Sequence, residues 1–405
     1  MKGANSVTIL VLVGVGSKYE AKDTSGISHF LEHMFFKGTE KRPDTLAIAE
    51  TLDRVGGEYN AFTSKEITGF WAKVDKKSAE TALDWISDIF LNSKFDETEI
   101  NREKGVIIEE LNMYLDTPTA YIGELWEELL YGDQPSGWRI IGTKENIQNF
   151  SREKIVNYYK NHYSSENIII CVAGGIGKDI EKKVKHYFKN AKQAKTNSKL
   201  KVEESQTKPE ILIHNKKTDQ THFCLWVRAY DLFHKNKYAL ALLSIILGGN
   251  MSSRLFIKIR ERNGLAYHIH TSADSATDAG YLVTQAGIDH KNLEKSIQLI
   301  AEEYKLFKER KIDGQELQKA KDYLRGTTSL SLDSSDVQAS FYASQELLAG
   351  KILTPEQRFK KIDAVTPKDI MRVAKDIFVS EKLNLAILVP LEEKDKEKLI
   401  KLLKL

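Results

Sequence analysis

The chain has 405 residues, 41% hydrophobic and 29% charged, with 60 Lys and Arg against 57 Asp and Glu for a net charge of +3. That length exceeds one ordinary core and favours two to four domains, and the composition is that of a soluble globular protein, expected in the cytoplasm. The balanced charge gives no support to a nucleic-acid or anionic-membrane role, and no stretch reaches the roughly 18 to 20 apolar residues of a membrane span.

Val7 to Val15 is rich in β-branched residues and runs into Gly14 and Gly16, the pattern of a strand meeting a loop. With Lys2 ahead of it the run resembles a short signal peptide. It has a counterpart in mid-chain, where no signal works, so a buried strand is expected. Ser17 to Ser28 is a polar connection in which Thr24, Ser25 or Ser28 is placed to cap the next helix. That helix carries His29-Phe30-Leu31-Glu32-His33, an H-x-x-E-H pattern, and stops at Gly38. Four residues apart on a helix, the two imidazoles share a face and can close on a single cation, with Glu32 beside them. This is the histidine spacing of a zinc metallopeptidase site with the glutamate moved next to the second histidine. A catalytic zinc takes three protein ligands and keeps one position for water, so one ligand remains to be found. A pentapeptide alone is a short match, and its context has to carry the reading.

Pro43-Asp44-Thr45 opens a helix that runs through Val55 to Gly56-Gly57, Tyr59 to Phe62 and Thr68 to Val74 read as paired strands, and Lys77 to Leu91 reads as an amphipathic helix. Phe95-Asp96-Glu97 starts the next helix, in which Ile100, Glu103, Ile107, Glu110, Leu111 and Tyr114 recur at helical spacing. Glu103 and Glu110 thus point where the apolar residues point, which is costly unless they are paired or bind a cation. Glu110 is the candidate third ligand and Glu103 its supporting partner. Glu109, rotated by about 100°, is the second choice.

Thr117-Pro118 begins a helix to Tyr131, Gly132 to Gly142 is a loop, Ser151 to Tyr163 a helix, Ile168 to Gly174 a strand and Asp179 to Phe188 a helix. From Ala191 to Pro209 the chain is polar and rich in Lys and Ser, the composition of an exposed linker. The expected domains are therefore 1–195 and 210–405, joined by 196–209. The two cysteines, Cys171 and Cys224, lie in apolar, strand-like stretches and are expected as small core residues, not as a disulfide.

The second half repeats the order of the first with a period of about 200 residues, which is a two-domain duplication and not a solenoid. Thr221 to Val227 takes the place of Thr8 to Val15, and Lys237 to Leu247 that of the His29 helix. Leu282 to Gly287 and Asn292 to Phe307 match Phe70 to Val74 and Lys77 to Leu91; Gln315 to Leu332 echoes Glu97 to Tyr114, and Ser340 to Ala349 echoes Ile122 to Tyr131. Pro367 to Met371 followed by Leu383 to Val389 mirrors Ser151 to Ile155 followed by Ile168 to Gly174. Where the first half has His29, Glu32 and His33, the second has only Ala, Leu, Ser and Ile around Ala239 to Ile246. The metal-binding pattern belongs to one half, and the other is expected to contribute substrate contacts.

Four stretches together, GISHFLEHMFFKGT (Gly26 to Thr39), Asn60 to Thr63, VIIEE (Val106 to Glu110) and Gly248 to Tyr267, closely resemble the pitrilysin family of zinc metallopeptidases. Within it the chain is most similar to the small two-domain processing-peptidase branch, which includes the β-subunit of mitochondrial processing peptidase and bacterial relatives. The resemblance implies an α+β fold of two homologous domains, each a mostly antiparallel sheet packed with helices, of the processing-peptidase and LuxS-like metallohydrolase type. It implies Zn²⁺ held by His29, His33 and Glu110, with Glu32 as general base and Glu103 supporting the site. It also implies that Asn60 to Thr63 forms an edge strand on which a peptide lies, with contacts at Asn60, Ala61 and Phe62, and that Arg260 and Tyr267 hold the substrate from the second domain. The activity it implies is that of an endopeptidase or oligopeptidase cutting extended or unstructured peptides in a chamber between domains, as a homodimer or a heterodimer with an inactive paralogue. The alternatives are a noncatalytic assembly subunit of the same fold, or a subunit active only beside a metal-free paralogue. The chain departs from the family in two places. A further strand normally precedes the one at Val7, so a sheet edge is expected to be open or otherwise filled, and the Gly-rich loop of the noncatalytic mitochondrial partner is missing.

Overall fold

The structure is a computed structural model that describes residues 1, 3–194, 198–390 and 396–405. Lys2 and residues 195–197, where the expected first domain ends and the linker begins, lie outside the described residues.

The first repeat runs β1 (Ser6–Val13), α1 (Ile27–Met34), α2 (Thr45–Asp53), β2 (Glu58–Thr63), β3 (Thr68–Asp75), α3 (Ala79–Asn92), α4 (Glu97–Asp116), α5 (Pro118–Tyr131), α6 (Lys144–Asn149), α7 (Arg152–His162), β4 (Ile168–Gly174) and α8 (Ile180–Tyr187). The second runs β5 (Glu210–Asn215), β6 (Thr221–Arg228), α9 (Lys237–Gly248), β7 (Ala266–Ser275), β8 (Gly280–Ile288), α10 (Leu293–Glu309), α11 (Gly314–Ser331), α12 (Ser335–Ala349), α13 (Pro355–Asp363), α14 (Pro367–Ile377), β9 (Leu383–Val389) and α15 (Lys396–Ile400). Each expected helix and strand is present within a few residues, and the α+β class holds. The strands β5 and β7 have no counterpart in the sequence reading, because β5 follows directly on the polar stretch read as a linker and β7 alternates small, polar and histidine side chains.

The first sheet has the order β2-β3-β1-β4, antiparallel throughout. The second has the order β5-β9-β6-β8-β7, in which β5 and β9 pair in parallel and the other neighbours are antiparallel. The central strands of the two orders correspond, but β5 has no equivalent in the first sheet, where β4 pairs only with β1 among the described residues. Both central strands are buried on both faces. Leu10 and Leu12 point to one side of β1 while Val7, Ile9, Val11 and Val13 point to the other, and all are at most 1% exposed. This two-sided burial explains why the sequence reads as an unbroken apolar run instead of an alternation.

The compact units are not the two contiguous halves expected from the sequence. One comprises residues 1–112, 138–200 and 329–353, and the other 113–137, 201–328 and 354–405. Helix α5, from the first repeat, lays Tyr121, Ile122, Leu125, Trp126 and Leu130 against Cys224, Trp226, Ala386 and Leu388 of the second sheet. Helix α12, from the second repeat, sets Ala339 and Ala343 against Leu10 and Leu12 of the first sheet. The described part of the linker is anchored rather than free: Lys199 Nζ lies 2.8 Å from Glu66 Oε1, and Gln206 hydrogen-bonds Asn384 at 3.0 Å. Both cysteines are free thiols, Cys224 buried and Cys171 half-buried. Among the described residues no helix is long and apolar enough to cross a membrane.

Candidate metal centre

Helix α1 is only two turns long and has two contrasting faces. Phe30, Leu31, Met34 and the adjacent Phe35 are fully buried. The Phe35 ring sits among Phe70, Phe90, Phe95, Tyr159 and Tyr163, at centroid separations of 4.6 to 5.8 Å. So short a helix is marginal in water and owes its shape to this packing. The other face carries His29, Glu32 and His33, with the two imidazole rings 4.7 Å apart.

Helix α4 brings the carboxylates. Its buried residues are Ile100, Glu103, Ile107 and Leu111, so Glu103 lies on the apolar stripe, and it is 2% exposed. Glu110 Oε2 is 3.6 Å from His29 Nε2 and 3.3 Å from His33 Nε2. His29, His33 and Glu110 each offer one ligand atom, and these atoms lie within 4.8 Å of one another. Glu109 is exposed on the neighbouring face and takes no part. Two imidazole nitrogens and a carboxylate oxygen are the donor set of a three-ligand zinc site with a fourth position for water, and the residues fit such an ion.

Around these groups the electrostatics favour a cation. The hydrogen bonds from His29 and then His33 hold the Glu110 carboxyl far below the usual carboxylate range. Burial opposes a charge on His33, but the hydrogen bonds to Glu103 and Glu110 outweigh it and push the imidazole up to about 9. His33 Nδ1 is 2.8 Å from Glu103 Oε1, and the other Glu103 oxygen lies 2.6 Å from Lys37 Nζ. Burial pushes the Glu103 carboxyl up, but His33 and Lys37 more than offset it and hold the group ionised. A carboxylate behind a ligating imidazole sets its tautomer and orientation.

Glu32 points beside the ligand set and accepts a hydrogen bond of 2.6 Å from the Thr63 hydroxyl at the end of β2. Lys37 escaped the sequence reading as a site residue, and Thr63 entered it only as part of the strand on which a peptide is expected to lie, not as a partner of Glu32. The signal for Lys37 was its place one helical turn past His33. Thr63 gave no comparable signal, since only the register of β2 brings it to Glu32.

The remaining expected site residues are placed as follows. Strand β2 is an edge strand, paired among the described residues only with β3. Asn60 is exposed, and its Oδ1 accepts from the Ala61 amide at 2.8 Å, which shows that this amide points away from β3. Phe62 belongs to the same strand, and its side chain is turned to the sheet. Its ring packs over Gly69, where an added Cβ would come within 2.4 Å of it, and joins the α12 side of the sheet. Arg260 and Tyr267 belong to the second unit. Arg260 sits on a π-helical segment, Phe256–Glu261, with its guanidinium 4.8 Å from the Phe256 ring centroid and 4.9 Å from that of Tyr267. Tyr267 is 78% exposed.

Comparison with known proteins shows the family and the fold. Residues 2–144 match the family described as insulinase (peptidase family M16), and residues 149–324 match the family described as peptidase M16 inactive domain. A Bacillus subtilis protein named uncharacterized zinc protease YmxG is 37% identical over 95% of this chain and 93% of its own length. A Rickettsia felis protein also named an uncharacterized zinc protease is 33% identical over 94% of this chain and 92% of its own. The solved structure of a protease from Helicobacter pylori superposes with a TM-score of 0.90 at 23% identity, over 96% of this chain and 95% of that one, and shows the same fold.

Proposed function

The chain belongs to peptidase family M16, and on that footing we propose that it is a zinc-dependent endopeptidase or oligopeptidase acting on extended peptides. The observation that carries the reading is the meeting of His29 Nε2, His33 Nε2 and Glu110 Oε2 within 4.8 Å, from two helices brought together by the core. Several relatives are named zinc proteases, which supports the choice of metal.

In such a site Zn²⁺ lowers the pKa of a water towards 7 and polarises the scissile carbonyl. The protein supplies the rest. Glu32 Oε2 is engaged by Thr63, which leaves Oε1 to take the proton from the attacking water and to return it to the departing amine. His33 is held by Glu103, so its Nδ1 is committed and its Nε2 faces the ligand position. The edge of β2 that faces away from β3 offers an extended peptide main-chain hydrogen bonds of the strand-addition kind, with the Ala61 amide joining once the Asn60 side chain releases it. In this reading Arg260 and Tyr267 hold substrate, and the exposure of Tyr267 with its ring against the guanidinium supports that role.

The test is Glu32→Gln, which keeps the size of the side chain and removes the base. Hydrolysis of unstructured peptides should fall by at least about 10²-fold while the protein retains zinc. A variant that binds zinc and cuts as fast as the parent removes Glu32 from the mechanism. A parent that holds no zinc points instead to a noncatalytic subunit of the same fold.

A further inference from the structure

Helix α1 begins at Gly26, which has φ +98 and packs so closely on the chain at Ile141 that a Cβ there would lie 2.6 Å from the Ile141 carbonyl oxygen. The position where a helix normally finds a Ser, Thr, Asp or Asn cap is therefore closed to any side chain. The first amides of a two-turn helix still need acceptors. They find one six to eight residues upstream: Glu20 Oε2 accepts from the Gly26 amide at 2.7 Å and Glu20 Oε1 from the Ser28 amide at 2.9 Å. Glu20 is 3% exposed. Ser28 continues the contact inward, its hydroxyl sharing a hydrogen bond of 3.0 Å with that of Tyr158 on α7.

The segment that carries Glu20 is bound at its other end to the β2–β3 turn. The amides of Ser17 and Lys18 donate to the carbonyls of Ser64 at 3.2 Å and Lys65 at 2.9 Å. Gly16 lies so close to the turn that a Cβ would fall 2.1 Å from the Ser64 oxygen. Lys18 Nζ adds a buried ion pair of 3.0 Å with Glu66. Residues 16–20 thus grip both the hairpin that ends in Thr63 and the helix that carries His29, Glu32 and His33. The link runs through main-chain amides and one carboxylate, so it fixes a distance and not merely a contact.

We propose that Glu20 is a positioning residue for the metal site: its carboxylate, by holding the Gly26 and Ser28 amides together, sets the place of α1 relative to the hairpin and so aims the two imidazoles and Glu32. The inference rests on the zinc reading above. It concerns a residue that touches neither metal nor substrate.

Glu20→Gln tests it, because a glutamine accepts through one oxygen only and turns its own N–H groups on the second amide. Zinc affinity is measured by competition with a chromophoric chelator, the ligand geometry by the visible spectrum of the Co²⁺-substituted protein, and turnover on an unstructured peptide. We expect zinc to bind roughly tenfold more weakly, the Co²⁺ bands to change in position or intensity, and kcat to fall while KM stays within about twofold. Unchanged affinity, spectrum and kcat overturn the proposal. If the glutamine variant does not fold, Glu20→Asp decides: one methylene shorter, it draws back from the pair of amides and should lose zinc affinity and kcat several-fold, and parental values for both overturn the proposal. A parent without zinc or activity sinks the zinc reading itself, whereas a competent parent with an unaffected Glu20 variant sinks only this inference.

Discussion

The Thr63 hydroxyl donates to Oε2 of Glu32 at 2.6 Å, joining the last residue of an edge strand to the glutamate of the H-x-x-E-H helix. The bond occupies one carboxylate oxygen and fixes the rotamer of the other. It also ties the proposed base to the strand on which a peptide is proposed to lie, so a shift of that strand is felt at Glu32.

Thr63→Val keeps the shape of the side chain and removes the donor. A hydrogen bond to a charged group contributes on the order of 1.5 to 3 kcal/mol, so kcat/KM should fall by at least about tenfold. Zinc affinity should stay at the parental value, because Thr63 touches no ligand. Steady-state kinetics paired with chelator competition separate the two, and a loss of zinc in this variant would contradict the assignment.

Glu103→Gln acts in the opposite way. The neutral amide no longer supports the His33 ring with a charge, and Lys37 loses its ion partner. Carboxylates in this position are typically worth 10- to 100-fold in metal affinity, so zinc should bind weaker by about that factor. Activity should recover substantially when zinc is supplied in excess. A variant that binds zinc normally yet stays inactive would move Glu103 from a supporting to a chemical role.

Glu20 also has a consequence for pH dependence. Burial raises its carboxyl from 4.5 to about 7, against the pull of the Ser28 and Gly26 amides and of Lys65; Tyr158 and Tyr163 also face it. A carboxyl whose folded pKa exceeds its unfolded value contributes stability that is complete below about 4.5 and is lost as pH rises through about 7. The shift corresponds to roughly 3 kcal/mol. Urea unfolding of the parent should therefore show a steeper loss of stability between about pH 5 and pH 8 than the Glu20→Gln variant does. Parallel curves would mean that the carboxyl does not titrate in that window. The protonated acid suits the fold and the ionised one holds both amides, so stability and site geometry pull in different directions.

Most of the site was legible because helical geometry is local. His29 and His33 share a face at any fourth-residue spacing, and Glu103 and Glu110 were conspicuous as carboxylates on an apolar stripe whose buried members include Ile100, Ile107 and Leu111. The preference for Glu110 over Glu109 as a candidate follows from the same periodicity, and in the structure it is the Glu110 carboxylate that lies beside the two imidazoles. The packing of the Phe62 ring over Gly69 was not legible, because the alternation of a strand says which side chains share a face, not which face meets solvent.

By itself the sequence determined most of the elements, the duplication and the half that carries the H-x-x-E-H pattern, since each depends on spacing within a few turns or on repetition along the chain. Only the tertiary structure decided that α5 covers the sheet of the second repeat and α12 the sheet of the first. An apolar stripe such as Tyr121, Ile122, Leu125 and Trp126 states that a helix needs a partner, and both central strands present two apolar faces to cover, so the pattern is equally satisfied by either sheet. The same holds for Glu20, whose role comes from a closed backbone at Gly26 and a fold that brings two amides to one buried carboxylate. Burial against a particular neighbour is a property of three dimensions, and no periodicity along the chain encodes it.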